Sequence, residues 1–226
     1  ICNEVLIGVG NMVINITLGR QSEQVIAALA VFRTLEGLII GFFAGFSNAA
    51  SVLVGKCVGA GELDTAYERG KRLVYLCSGV ILACGLVLRI FSQPILTAMS
   101  LHDESLRIGT VLLGIYTVAS VIRMGNWIQN DTYRASGDAV TGTVLEILFM
   151  YLMLLPCVLC AGFVWHLPYW AIFLCCYVDE PIRYVLMQRH LYSGKWIRPV
   201  TEVGRAALPA FRARFERKMR AASGAG

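Results

Sequence analysis

The sequence predicts an all-α membrane protein, a bundle of six transmembrane helices. Three observations carry this. The 226 residues are 57% hydrophobic and only 15% charged, with a mean hydropathy of +0.63. A soluble domain is nearer 45–50% apolar and about 25% charged. Six apolar runs approach the roughly 20 residues that a helix needs to cross a bilayer. Lysine and arginine collect on one set of connections between those runs.

The runs fall in order. The first covers residues 3–18 and the second 28–54. The second carries Gly41 and Gly45, and Gly55 and Gly59 follow directly after it. Each pair is four apart, so each lies on one face and lets another backbone come close. The third covers 72–96, and Pro94 suits its end. The fourth covers 106–133, the fifth 143–164 and the sixth 169–191. Pro156 and Pro181 fall inside the last two and are expected to kink them. The short turn at 164–168 makes those two antiparallel neighbours. Trp165, Tyr169 and Trp170 beside it suit an interfacial aromatic belt.

Charge sets the orientation. Lys56, Arg69, Lys71 and Arg72 follow the second run, Arg134 follows the fourth, and nine more basic residues lie from Arg189 onward, fourteen in all. The opposite side holds Arg20, Arg89 and Arg107. The positive-inside rule then places both ends in the cytoplasm; a multi-pass protein of the plasma (inner) membrane is expected. Residues 1–200 form the membrane lobe and 201–226 a basic cytoplasmic tail. There Arg205, Arg212, Arg214, Arg217, Lys218 and Arg220 surround a stripe of Leu208, Phe211, Phe215 and Met219. That pattern reads as an interfacial helix on anionic lipid; the alternative is a disordered basic tail. Residues 221–226 are expected to be disordered.

Other classes recede. The eight cysteines lie mostly in apolar runs, unlike a secreted disulfide framework. Cys157 and Cys160 form a CxxC without a partner at metal spacing and read as core filler. No nucleophile elbow, zinc-protease, P-loop or dinucleotide motif is present, so no enzyme is expected. No cofactor or metal and no nucleic-acid partner is expected either. The chain opens on Ile1 without a signal peptide and reads as starting partway into a longer protein.

Polar groups inside the runs are the candidate site, because a charge at mid-membrane costs at least about 2.5–3.5 kcal/mol. Glu4, Gly8, Asn11 and Asn15 share one face of the first run. A carboxylate on such a stripe can bind a proton or Na⁺; at the headgroup boundary it would merely snorkel. Arg33 and Glu36, three apart, can form an intrahelical ion pair, either structural or part of transport. Ser120, Arg123, Asn126, Asn130 and Arg134 make the fourth run the most polar. Arg123 can pair with a carboxylate from another helix, such as Glu4. Asn126 and Asn130 offer oxygen and N–H groups to an ion or an amine, or pack one helix on another. Glu146 belongs to the fifth run. Asp179 and Glu180 lie near Arg183 and the cytoplasmic end, where a structural pairing is expected.

On these residues the chain resembles the multidrug and toxic-compound extrusion (MATE) transporters. Asn3-Glu4, Gly8-Val9-Gly10 and Leu18-Gly19-Arg20 resemble the family's seventh helix, with Leu18 in place of an aromatic residue. The stretch from Gly41 to Gly61, then Glu62 and Ala66, resembles the eighth helix and its exit loop. Arg123-Met124-Gly125-Asn126 and Tyr133-Arg134-Ala135-Ser136-Gly137-Asp138 resemble the tenth helix and the signature after it, with Ser136 in place of glycine. Glu180-Pro181-Ile182-Arg183 and the segment from Ser193 to Val200 resemble the end of the twelfth helix and the tail.

The resemblance implies one lobe of a twelve-helix transporter working by alternating access. Its implied partners are an N-terminal six-helix lobe, membrane lipids, and small organic cations or amphipathic drugs. Export would be driven by H⁺ or Na⁺ antiport. Glu4 matches the acidic position used for cation coupling or substrate. One branch of the family carries an aspartate where Arg123 stands, which sets this chain apart from that branch's Na⁺ mechanism. Asp131 lies two turns further along, on another face. The cavity residues implied are Glu4, Asn11, Asn15, Glu36, Arg123, Asn126 and Asn130. The competing readings are a lipid-linked or polysaccharide flippase of the same superfamily and a non-transporting scaffold or half-length relic.

Overall fold

A computed structural model describes residues 2–222, with side chains from Val5 to Lys218. Helices α1 (Cys2–Gly19), α2 (Glu23–Gly59), α3 (Leu63–Ile90), α4 (Ser92–Ala98) and α5 (Asp103–Ala135) come first. Helix α6 (Ala139–Phe149) then runs through a π-turn, Met150–Leu154, into α7 (Leu155–Leu159) and a second π-turn, Cys160–Val164. Helices α8 (Tyr169–Cys175), α9 (Glu180–Ser193) and α10 (Glu202–Ala222) complete the order, with no strand among the described residues.

Four stretches are long and apolar enough to cross a membrane: Glu23–Gly59, Leu63–Ile90, Asp103–Ala135 and Ala139–Val164. Val5–Gly19 is a shorter apolar helix. The sixth expected span is covered by two shorter helices, α8 and α9.

Local chemistry sets the boundaries. Ser22 caps α2 by accepting from the Val25 N–H at 3.2 Å, and Glu23 complements the helix dipole. The third expected span is shifted: α3 ends at Ile90, and Pro94 lies inside the separate α4. A first-turn N–H needs no intrahelical acceptor, so proline is tolerated there. Around Pro156, where a simple kink was expected, π-turns flank a short helix. The wider winding absorbs the missing N–H. Pro181 does not kink a continuous sixth helix either. The helix stops at Cys175 and restarts at Glu180, with Pro181 in its first turn. Gly194, at φ 67°, ends α9 in the left-handed conformation that glycine adopts without strain.

The connections gather at two ends. At the basic end Thr201 Oγ1 donates to Gly59 O at 2.9 Å, and Arg198 N donates to Ser136 O at 2.9 Å. At the other end Gln21 Nε2 donates to Leu167 O at 3.4 Å. Each end has its own core. Near the Gln21–Leu167 end, Phe32 meets the rings of Tyr116 and Phe173 edge-on at 5.2 and 5.1 Å. Near the basic end, Tyr133 and Trp196 are fully buried beside Leu63 and Val74. Long α2 and α5 pass through both cores.

The two glycine pairs of α2 behave differently. A Cβ on Gly55 would lie 3.4 Å from Ala135 O, and one on Gly59 would lie 3.8 Å from Thr201. Gly41 and Gly45 face open space, so among the described residues they bring no backbone close. A tighter approach is made by Gly125 of α5, where a Cβ would sit 2.8 Å from the Tyr184 ring of α9.

The basic tail is helical, and the protein itself covers its apolar stripe. Phe211 is buried, and the Phe215 ring meets Tyr67 edge-on at 5.1 Å. Arg214 pairs with Asp64 at 2.7 Å. The expected burial of this stripe in lipid is therefore replaced by docking on α3 for Leu208, Phe211 and Phe215. Met219 and residues 223–226 fall outside what is described of side chains and backbone respectively.

Candidate substrate and ion cavity

Between the two cores lies a charged belt, built mainly by α2, α5, α6 and the broken α8–α9 crossing. Glu36 is at its densest point and is 3% exposed. Arg33 Nη1 donates to Glu36 Oε2 at 2.6 Å, and Arg123 Nη1 donates to Glu36 Oε1 at 2.7 Å. Arg33 Nη2 also donates to Asn15 Oδ1 at 3.0 Å. A carboxylate shared by two guanidiniums lowers the cost of placing all three charges between apolar layers.

A second cluster sits where the last crossing is interrupted. Arg183 Nη2 donates to Glu180 Oε2 at 2.7 Å, with Asp179 Oδ2 3.8 Å from its Nη1. Asn126 Nδ2 donates to Glu180 Oε2 at 2.6 Å and to Glu180 O at 3.1 Å. The side-chain amide thus ties α5 to the first turn of α9. These charges lie mid-crossing between Tyr169 and Ser193, not near the cytoplasmic end as the sequence suggested. The sequence carried a signal: Asp179-Glu180-Pro181 is an acidic, proline-marked helix start.

Two connected hollows open beside these clusters. The smaller, about 100 Å³, is reached by Asn11, Arg33, Arg123, Glu146, Asp179 and Glu180. The larger, about 310 Å³, is reached by Arg123, Asn126, Asn130, Asp131, Arg134 and Glu146. Ile7, Arg123, Glu146 and Arg183 line both.

Glu146 stands apart. Asn130 Nδ2 donates to its Oε2 at 3.3 Å, and no basic group pairs with it among the described residues. Buried Oδ1 atoms of Asn126, Asn130 and Asp179 lack hydrogen-bond partners. Such a wall offers oxygen ligands and, in Glu146 and Asp131, carboxylates that no guanidinium pairs with directly among the described residues, although Arg123, Arg134 and Arg183 line the same hollow.

The expected site residues are therefore distributed unevenly. Arg123, Asn126 and Asn130 line the larger hollow, and Asn11 lines the smaller. Asn15 is exposed and reaches the belt only through Arg33. Glu36 lies behind the arginines as their counter-ion, and Arg123 pairs with it. Glu4 is on α1, three residues before the cavity-lining Ile7, and its side chain lies outside the described residues. The sequence reading set Asp131 aside, yet it lines the larger hollow and accepts from Ser47 Oγ at 2.6 Å. The sequence by itself does not bring Glu146, Asp179 and Glu180 into the cavity, yet all three line it. Only packing shows which mid-span charges share one space.

A polar cavity beside a discontinuous helix in a membrane-spanning bundle is an arrangement found in membrane transport proteins. The MatE family model matches residues 1–159, and the chain belongs to this family, the MATE transporters. An uncharacterised transporter of Bacillus subtilis, YisQ, is 24% identical over 191 residues, which cover 82% of this chain and 41% of YisQ. The bent form of the Vibrio cholerae MATE transporter VcmN superposes with a TM-score of 0.79 at 15% identity. That match covers 97% of this chain and 54% of VcmN. A transporter of the wider superfamily from Pyrococcus furiosus, described as having a binding pocket of reverse polarity, gives 0.75 at 14% identity, over 88% of this chain and 44% of its own. The chain thus spans about half the length of the relatives it matches.

Proposed function

We propose that this chain forms one lobe of a secondary active exporter of organic cations or amphipathic drugs, driven by inward H⁺ or Na⁺. An N-terminal six-helix lobe would supply the other wall of the pathway. The open glycine face of α2, with Gly37, Gly41 and Gly45, suits a closely packed neighbour. The protein would sit in the plasma membrane with the basic end in the cytoplasm.

The single observation that carries this reading is Glu146 on the wall of both hollows, held by one amide. A carboxylate in that setting can exchange a proton or a small cation as the cavity changes its access. Glu4, one turn from Ile7, is proposed as a second acidic group at the same space. The test is transport by the full-length protein in vesicles with an imposed ion gradient. Glu146→Gln should keep expression and abolish coupling, and Glu4→Gln should do the same. Normal coupled export by both variants would remove the carboxylates from the mechanism.

The three arginines on the wall of the larger hollow, Arg123, Arg134 and Arg183, favour a second reading: a flippase for anionic lipid-linked or saccharide substrates. The same vesicles distinguish the two. An anionic substrate whose movement fails in Arg134→Gln, with no export of organic cations by the wild type, would establish the second reading.

A further inference from the structure

Helix α9 has two working faces. Glu180, Arg183 and Met187 point to the cavity. At 3.6 residues per turn, Val185, Arg189 and Tyr192 lie on the opposite side of the helix. There a shallow groove of about 490 Å³ runs along Tyr184, Val185, Gln188, Arg189, Tyr192 and Ser193. From Tyr184 to Ser193 it follows roughly 14 Å of helix. Val185 is 51% exposed in its apolar stretch.

The end of the groove nearer Gly194 is polar and basic, and α3 completes it. The Tyr75 hydroxyl meets the Tyr192 hydroxyl. Lys71 Nζ lies 4.5 Å from the centre of the Tyr67 ring and 5.9 Å from that of Tyr192. Lys71 also pairs with the exposed Glu68 at 3.1 Å. Arg189 has no carboxylate partner among the described residues. It is exposed on a flank that turns away from the cavity, in a helix that completes a membrane crossing. A guanidinium there must reach an anion or water at headgroup depth.

We propose that this flank is a binding site for one anionic phospholipid. The phosphate is held by Arg189 and Lys71, with the paired Tyr75 and Tyr192 hydroxyls beside it. An acyl chain lies along Val185 and Tyr184. Charge complementarity and the apolar run of the groove decide the occupant: a free phosphate would use the basic end and leave the groove empty. Basic pockets between helices at the anionic leaflet are suited to such headgroups.

The test is native mass spectrometry of the full-length protein released from nanodiscs holding equal phosphatidylglycerol and phosphatidylcholine. The wild type should retain phosphatidylglycerol selectively. Arg189→Gln and Lys71→Gln should each weaken retention about fivefold. Val185→Trp keeps both charges but fills the groove, and it should also displace the lipid. Arg217→Gln, on the exposed face of α10, should change nothing. Unfolding temperatures in detergent show that each variant is folded. Equal retention of the two lipids by the wild type would overturn the proposal. So would unchanged selectivity in the Arg189→Gln, Lys71→Gln double variant. Displacement of the lipid by millimolar glycerol phosphate, with Val185→Trp unaffected, would mean a phosphate site without a lipid groove and would also overturn it.

Discussion

Glu36 and Glu146 occupy the same polar belt and are held in opposite ways. Glu36 is almost fully buried and takes one arginine on each oxygen, at 2.6 and 2.7 Å. Glu146 is half-buried, lines both hollows and receives one amide N–H at 3.3 Å. The difference is between a carboxylate that ties helices together and one that remains available. A buried charge with matched partners costs much to disturb, so it serves the fold. A charge with a neutral neighbour and space beside it can exchange its counter-ion. Residue type alone does not distinguish them, since both are glutamates in apolar helices.

The largest expected effect comes from removing the tied carboxylate. Glu36→Ala leaves Arg33 and Arg123 without their shared partner and should cost about 3–5 kcal/mol. Thermal unfolding in detergent would read this as a large drop in midpoint, or as loss of expression. An unchanged midpoint would make Glu36 as dispensable as Glu146 and erase the contrast.

Next comes Gly125→Ala. The added methyl would lie 2.8 Å from the Tyr184 ring, so the ring or α9 as a whole must move away from α5. Overpacking of this kind costs about 1–3 kcal/mol. Because Asn126 and Glu180 span the same contact, coupling should suffer along with stability. A variant of normal stability would show that Tyr184 simply rotates outward.

Glu146→Gln should reverse the pattern seen at Glu36. Its unfolding midpoint should match the wild type, while ion-driven export falls at least about tenfold, equivalent to about 1.4 kcal/mol. Export and stability lost together would place Glu146 with the structural charges. The smallest effect should come from Asn130→Ala, which removes the side-chain hydrogen bond to Glu146 seen among the described residues. Such a bond is worth about 1 kcal/mol. The expected readout is a shifted ion dependence of export at near-normal maximal rate, and an unchanged dependence would show that the amide does not tune the carboxylate.

Much of this architecture is legible along the chain. Apolar length, the glycine and proline punctuation and the one-sided basic loops point to an all-helical membrane bundle, and the motif order points to the MATE family. Both follow from local chemistry: the bilayer demands long apolar helices with internally satisfied backbone. Helical phasing also placed Arg33 beside Glu36, because residues three apart are neighbours on any helix. Phasing ran out where partners come from different helices. Arg123 pairs with Glu36 across α5 and α2, and Asn130 meets Glu146 across α5 and α6.

The same limit explains the glycines of α2 and the last crossing. Four-residue spacing puts Gly41 with Gly45 and Gly55 with Gly59 on shared faces, whatever lies opposite. Only packing puts Ala135 against Gly55 and leaves Gly41 open. Apolar length made residues 169–191 one span, whereas the tertiary structure opens the helix at residues 176–179 and turns Asp179 and Glu180 into the cavity. The sequence by itself determined which segments must be helices in lipid, because that depends on length, hydropathy and backbone hydrogen bonding. The tertiary structure decided which charges are partners and which remain open to the cavity, because a pair across helices depends on register, rotation and the shape of everything packed between.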